Sequence, residues 1–128
     1  MASQTTASGA ETSTGLDENV AGALAYVLGL ITGVAFLVLE SDNRFVRFHA
    51  AQSIVFTLAV FGINILLWIV GAVVGAVLGN LVGGLFGLLT LPLWLVFFAA
   101  WVFLMFQAFQ GKEFEVPVVG GIARSIAA

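Results

Sequence analysis

The sequence contains no cysteine, one histidine and two prolines, and only 9% of its 128 residues carry a charge. The absence of cysteine excludes disulfides, thiolate metal sites, cysteine-linked haem and cysteine nucleophiles together. A single histidine leaves no nitrogen-rich metal site to build. Basic residues are scarcer than acidic ones, four Lys and Arg against seven Asp and Glu, so there is no electrostatic footprint for nucleic acid.

What is present in their place is apolar: 61% of the residues are hydrophobic, and 15 more are glycine. Soluble chains carry roughly 25% charge, and a small domain of this composition would have nothing polar with which to cover its surface. The chain is therefore read as all-α and integral to a membrane, a single domain with lipid as its solvent. No signal peptide is expected, because the first basic residue is Arg44.

Residues 1–16 are Ser, Thr, Ala and Gly with one acid and read as a disordered tail. Asp17-Glu18-Asn19 can start a helix. From Val20 to Leu39 there is no charge, and these 20 residues would reach ~30 Å as a helix, one hydrocarbon thickness. Polar residues return at Glu40, and from Ala50 to Gly111 no side chain is ionisable. Gly79-Asn80 is the turn signal inside that stretch, and Pro92 reads as a kink. A second helix is expected from about Arg44 to Leu78 and a third from about Leu81 to Phe109, giving spans near 20–39, 53–78 and 81–109 in a membrane domain of residues 17–124. Three spans place Arg44, Arg47, Lys112 and Arg124 on one face and no Lys or Arg on the other, whereas four divide them evenly. The positive-inside rule favours three, with the amino end outside and the carboxyl end cytoplasmic.

Small residues recur at intervals of four in each span: Ala21, Ala25, Gly29 and Gly33, then Gly71, Gly75 and Gly79, then Gly83 and Gly87. Such seams let helix backbones approach in lipid. Ser53, Thr57 and Asn64 share the face of Gly71 and Gly75. They read as interhelical hydrogen bonding at the seam, and alternatively as the lining of a small pore or transporter gated by His49. Trp94, Phe98, Trp101 and Met105 form an aromatic stripe read as a packing or lipid-facing surface.

The linker Arg44, Phe45, Arg47, Phe48, His49, Gln52, Ser53 is the candidate functional segment. Paired arginines beside phenylalanines suit the membrane interface, and Glu40 and Asp42 are near enough in sequence to pair with them. His49 and Ser53 stand at i, i+4, but no third group orients them, so no catalytic residue is assigned. No cofactor or metal site and no small-molecule substrate are expected. In residues 110–128 Gly111 reads as a helix stop, Pro117 and Gly120-Gly121 as breaks of regular structure, and the apolar remainder as an interfacial segment or one folded back on the linker.

Gly15 to Gly22, the string Asn43-Arg44-Phe45-Val46-Arg47-Phe48-His49-Ala50-Ala51-Gln52-Ser53, and Pro117 to Gly120 together resemble a small prokaryotic membrane family described as Tic-like, after a chloroplast protein-import component. The resemblance spans about residues 15–124. It implies a three-span helical protein and no particular reaction. The scarcity of lysine and the acidic balance would suit a halophilic archaeal member. The expected partners are the lipid bilayer and either further copies of the chain or a larger membrane complex, such as a translocation assembly.

Overall fold

The charge-free run from Val20 to Leu39 does not form one helix. In the computed structural model, which describes residues 11–128, it folds as α1 (Glu18–Val27) and α2 (Leu30–Leu39). Each has ten residues, or ~15 Å, half of what a crossing needs. The break is at Gly29, whose φ of 58° and ψ of −109° are cheap only for glycine. Its N–H closes onto the Tyr26 carbonyl at 3.0 Å, a glycine-terminated helix end.

A chain reversal inside hydrocarbon is tolerated only where its backbone groups find partners, and here they do. Thr32 Oγ1 donates to the Ala25 carbonyl at 2.9 Å and accepts the Leu28 N–H at 3.1 Å. Trp101 Nε1 donates to the Tyr26 carbonyl at 2.6 Å, and Ser53 Oγ to the Gly29 carbonyl at 2.9 Å. A Thr32→Val variant, nearly the same shape, strands one donor and one acceptor and should lose about 2 kcal/mol. Ser53→Ala should lose about 0.6 kcal/mol, because the Gly29 carbonyl keeps the Gly33 N–H at 2.9 Å. Unfolding in mixed micelles with increasing dodecyl sulfate measures both.

α3 (Arg44–Leu78) has 35 residues, ~52 Å, so it exceeds a ~30 Å hydrocarbon layer. Asn43 caps it, Oδ1 accepting the Val46 N–H at 3.1 Å. Gly79 at φ 100° reverses the chain into α4 (Asn80–Leu88), and α5 (Thr90–Phe109) follows. The interruption at Leu89 lies where Pro92 has no N–H for the Leu88 carbonyl, and Thr90 Oγ1 donates to the Gly87 carbonyl at 2.7 Å. α6 (Val119–Ala127) is the last element. Among the described residues all regular structure is helical.

These elements form two compact units, one of residues up to Leu58 with Trp101–Ala128, the other of Ala59–Ala100. In the first, α1 runs along α3 and α2 runs back. Gly22 faces Phe45 and His49, Gly29 faces Thr57, Gly33 faces Ala50 and Ile54, and Leu37 packs with Phe48 and Ala51. The hairpin thus begins and ends beside the first turns of α3. Asn43 Nδ2 reaches Glu18 Oε2 at 2.8 Å, and Asn19 Nδ2 reaches the Phe109 carbonyl at 2.9 Å. The start of α1 and the end of α5 therefore lie side by side, and the ten-residue helices α1 and α2 stand where one continuous first span was expected. Two long apolar helical stretches, Arg44–Leu78 and Asn80–Phe109, with mean hydropathy 2.4 and 2.3, and the shorter α2 fit a membrane bundle.

In the second unit α3 meets α4 at its glycines, Gly71 against Phe86 and Gly75 against Gly83. The remaining surface is apolar and open, Trp68 and Leu81 being more than 70% exposed. Of the expected tail of residues 1–16, residues 1–10 lie outside the described residues, and 13–16 form turns and bends.

Candidate functional site at the linker, hairpin and tail

The first four turns of α3 carry one polar and one aromatic face, and the rest of the first unit closes around them. Phe45, Phe48, His49, Gln52 and Ser53 are all buried. The imidazole of His49 lies edge-on among Tyr26, Phe45 and Phe48, with ring centroids 4.7 to 5.5 Å away. Gly22 leaves room for this group, since a Cβ there would sit 2.8 Å from Phe45.

The hydrogen bonds of this cluster assign its protons. His49 Nε2 lies 2.9 Å from the Lys112 carbonyl and so carries hydrogen, which leaves Nδ1 to accept from the Tyr26 hydroxyl at 2.7 Å. Gln52 Nε2 donates to that hydroxyl at 2.9 Å and to the Phe114 carbonyl at 2.8 Å, while Oε1 accepts the Val116 N–H at 2.9 Å. Neutral His49 gives each of these groups a partner, whereas a second ring proton would make Nδ1 a donor toward the Tyr26 hydroxyl and take away the acceptor of that hydroxyl's own hydrogen. Among the described residues no buried side-chain nitrogen or oxygen lacks a partner.

Gln52 treats residues 114–116 as the neighbouring strand of a parallel ladder would. Its carboxamide spans the carbonyl before Glu115 and the N–H after it. His49, three residues earlier, takes the carbonyl of Lys112, on the same edge of the extended segment. Two side chains one turn apart therefore clasp the tail through backbone alone, whatever the tail's side chains.

The arginines differ from expectation. Glu40 and Asp42 do not pair with them. Arg47 Nη1 donates to the Leu37 and Glu40 carbonyls at 2.8 and 2.7 Å and Nε to the Ala127 carbonyl at 3.1 Å, so one guanidinium caps the carboxyl ends of α2 and α6. The Glu40 carboxylate accepts the Ser13 N–H instead. Arg44 is exposed. Arg124 lies 4.1 Å over the Phe48 ring and pairs with Glu113 at 2.7 Å and Glu115 at 2.9 Å. Partial burial disfavours its charge, but the hydrogen bonds and charges of the two glutamates outweigh that and hold its pKa above the ordinary value.

The tail also departs from the reading that Pro117 and Gly120-Gly121 break regular structure. Residues 119–127 are helical, because Gly120 packs where a Cβ would come within 2.6 Å of Glu115, and Ala123 and Ala127 seat on Phe48 and Ala51. The corner before α6 is a γ-turn at Val118 with φ 68°, closed by Val119 N–H to the Pro117 carbonyl at 2.8 Å.

Ser53 and Thr57 both face Gly29 in the hairpin turn, while Asn64 Nδ2 donates to the Val60 carbonyl of its own helix at 2.8 Å. His49 and Ser53 bond other partners and not each other. Of the seam glycines, Gly29, Gly33, Gly71, Gly75 and Gly83 stand at close approaches, whereas Gly79 and Gly87 face open space. Trp101 and Met105 pack against the cluster of Tyr26, Leu104 and Ala108, and Trp94 and Phe98 are exposed. Sequence reasoning missed Tyr26, Thr32 and the capping role of Asn43. The first two flank Gly29 as the polar residues of an otherwise apolar run, and that is the signal that marks a reversal.

Residues 15–123 match the family model described as the magnetosome magnetite crystal formation protein family, MamF/MmsF. A UPF0132 membrane protein of Methanocaldococcus jannaschii is 40% identical over 88% of this chain and 91% of its own length, and one of Archaeoglobus fulgidus is 38% identical over 84% and 93%. No solved structure matches. The relatives are membrane proteins by name, and the apolar helices agree with that location. By the extent of both matches, the chain belongs to the MamF/MmsF family and, with its archaeal relatives, to the small UPF0132 membrane proteins.

Proposed function

We propose that the protein is a non-enzymatic membrane component that works by association, its first partner being a second copy of itself. One observation carries this reading. In the second unit a groove of about 460 Å³ runs between α3 and α4–α5, floored by Gly71, Ala72, Gly83 and Gly87 and walled by Trp68 and Trp94. Asn64 lines it, and its side-chain carbonyl accepts no hydrogen bond among the described residues. In hydrocarbon that oxygen gains from a donor, and the amide of a second Asn64 is one; asparagine commonly bonds across helices where small residues admit a neighbour.

The glycines divide the test. A Cβ at Gly83 would fall 2.7 Å from the Gly75 Cα, so Gly83→Leu disrupts the protomer itself. Gly87 faces open space, so Gly87→Leu leaves the fold and fills the groove. Crosslinking in native membranes should recover dimer from the wild type and at least about fivefold less from Gly87→Leu or Asn64→Leu, equivalent to ~1 kcal/mol. Equal dimer in all three, or only monomer in the wild type, refutes the proposal.

The Tic-like resemblance extends the reading to docking within a larger membrane assembly. For orientation, the linker and tail bear Arg44, Arg47, Lys112 and Arg124 and the Gly79 turn bears no Lys or Arg, which supports a cytoplasmic linker and tail. Because Glu18 and Asn19 bond Asn43 and Phe109, the start of α1 goes with them, in place of an amino end outside.

A further inference from the structure

We propose that the α1–α2 hairpin enters one leaflet only and that the protein thereby curves the membrane that holds it. Three observations carry this. First, neither hairpin helix can cross: at ten residues each reaches ~15 Å. Second, the hairpin enters and leaves on the same side. Asn43 holds Glu18 at the entry, and Arg47, one turn along the same helix, holds the Glu40 carbonyl at the exit.

Third, the reversal is built for acyl chains. Leu28 is 60% exposed, Ile31 68% and Val38 75%, no charged residue lies between Val20 and Leu39, and the turn's backbone groups are satisfied by Thr32, Ser53 and Trp101. A loop meant for water would not need those bonds. Helix α6 adds to the same leaflet. It is tied to the hairpin's exit through Arg47 and the Ala127 carbonyl, and it exposes Ile122 and Ile126 beside Arg124 as an interfacial helix does.

Each helix has a cross-section of roughly 80 Å² for a diameter of ~10 Å. Two of them widen the host leaflet without widening the opposite one, and a bilayer relieves that mismatch by bending away from the widened side. The occupant of the exposed hairpin face is thus lipid, and the consequence is preference for, and generation of, high curvature. This does not depend on self-association.

The native chain has no cysteine, so single-cysteine variants report position without background. In phosphatidylcholine–phosphatidylglycerol vesicles, Thr14→Cys and Ser41→Cys should react with an impermeant maleimide from the same side. A fluorophore on Leu28→Cys should be quenched most by lipids spin-labelled deep in the chain. Vesicles reconstituted with wild-type protein should be smaller than protein-free vesicles by roughly twofold in mean diameter, Ile31→Lys should abolish the difference, and Ser41→Lys should keep it. Labelling of residues 14 and 41 from opposite sides, a Leu28 probe at headgroup depth, or wild-type vesicles no smaller than protein-free ones each overturns the proposal, and none of the three needs a destabilised variant.

Discussion

Gln52→Leu should release the tail from the linker while leaving the long helices in place. The substitution keeps the volume but removes two donors and one acceptor, stranding the Phe114 carbonyl and the Val116 N–H, which Gln52 alone engages. Each buried group left without a partner costs ~1–3 kcal/mol, so the clasp should weaken by about 3 kcal/mol. Hydrogen exchange of the Val116 amide reads this directly: protection should fall by about two orders of magnitude, and limited proteolysis should cut within residues 112–118. The Tyr26 hydroxyl keeps its bond to His49, so amides at the centre of α1 should keep their protection. Unchanged exchange at Val116 would show that the clasp contributes nothing to holding the tail.

Gly33→Leu should unseat the hairpin. A Cβ there would lie 2.8 Å from Ile54 Cγ1 and 2.9 Å from the Ala50 carbonyl oxygen. The second contact is backbone of a continuous helix and cannot turn aside, so the loss should reach about 3 kcal/mol, the upper end for overpacking. Trp101, bonded to Tyr26 at the hairpin tip, supplies the readout, because its indole loses that partner and its fluorescence changes. Gly121→Ala makes a control, since nothing lies near that position, and its stability should stay within about 0.5 kcal/mol.

The extents of the long helices were legible because their punctuation is local. Gly79 and Gly111 adopt positive φ where the sequence placed a turn and a stop, and the uncharged stretch between His49 and Lys112 leaves no competing boundary. The linker was legible as the densest polar and aromatic segment of the chain, but not that Phe45, Phe48, His49, Gln52 and Ser53 are all buried, since burial comes from the hairpin and the tail that close on them. The hairpin was not legible. Gly29 sits in a stripe of small residues at intervals of four, and such a stripe reads the same whether it packs two helices or interrupts one. Hydropathy over 20 residues cannot distinguish one crossing from two half-crossings. What decides is Thr32, Ser53 and Trp101 converging on the turn, and two of these come from elsewhere in the chain.

The partners of Arg47 differ from those its neighbours in sequence suggest, for a related reason. Proximity in sequence suggested carboxylates, but Arg47 meets helix ends, where bare carbonyls gather at a partial negative charge. The glycines of the tail were read by propensity, which buried contacts with Glu115 and Phe48 override.

The clasp joins His49 and Gln52 to backbone groups 62 to 64 residues later, while the hairpin's contacts on α3 are complete by Thr57. During synthesis from the amino end, the hairpin can therefore seat as soon as residue 57 is available, whereas the buried amide of Gln52 waits for the tail. At roughly 5–20 residues per second, that interval lasts several seconds. Throughout it the polar groups that His49 and Gln52 later give to the tail have no backbone partner there, and the arrival of residues 112–116 supplies it.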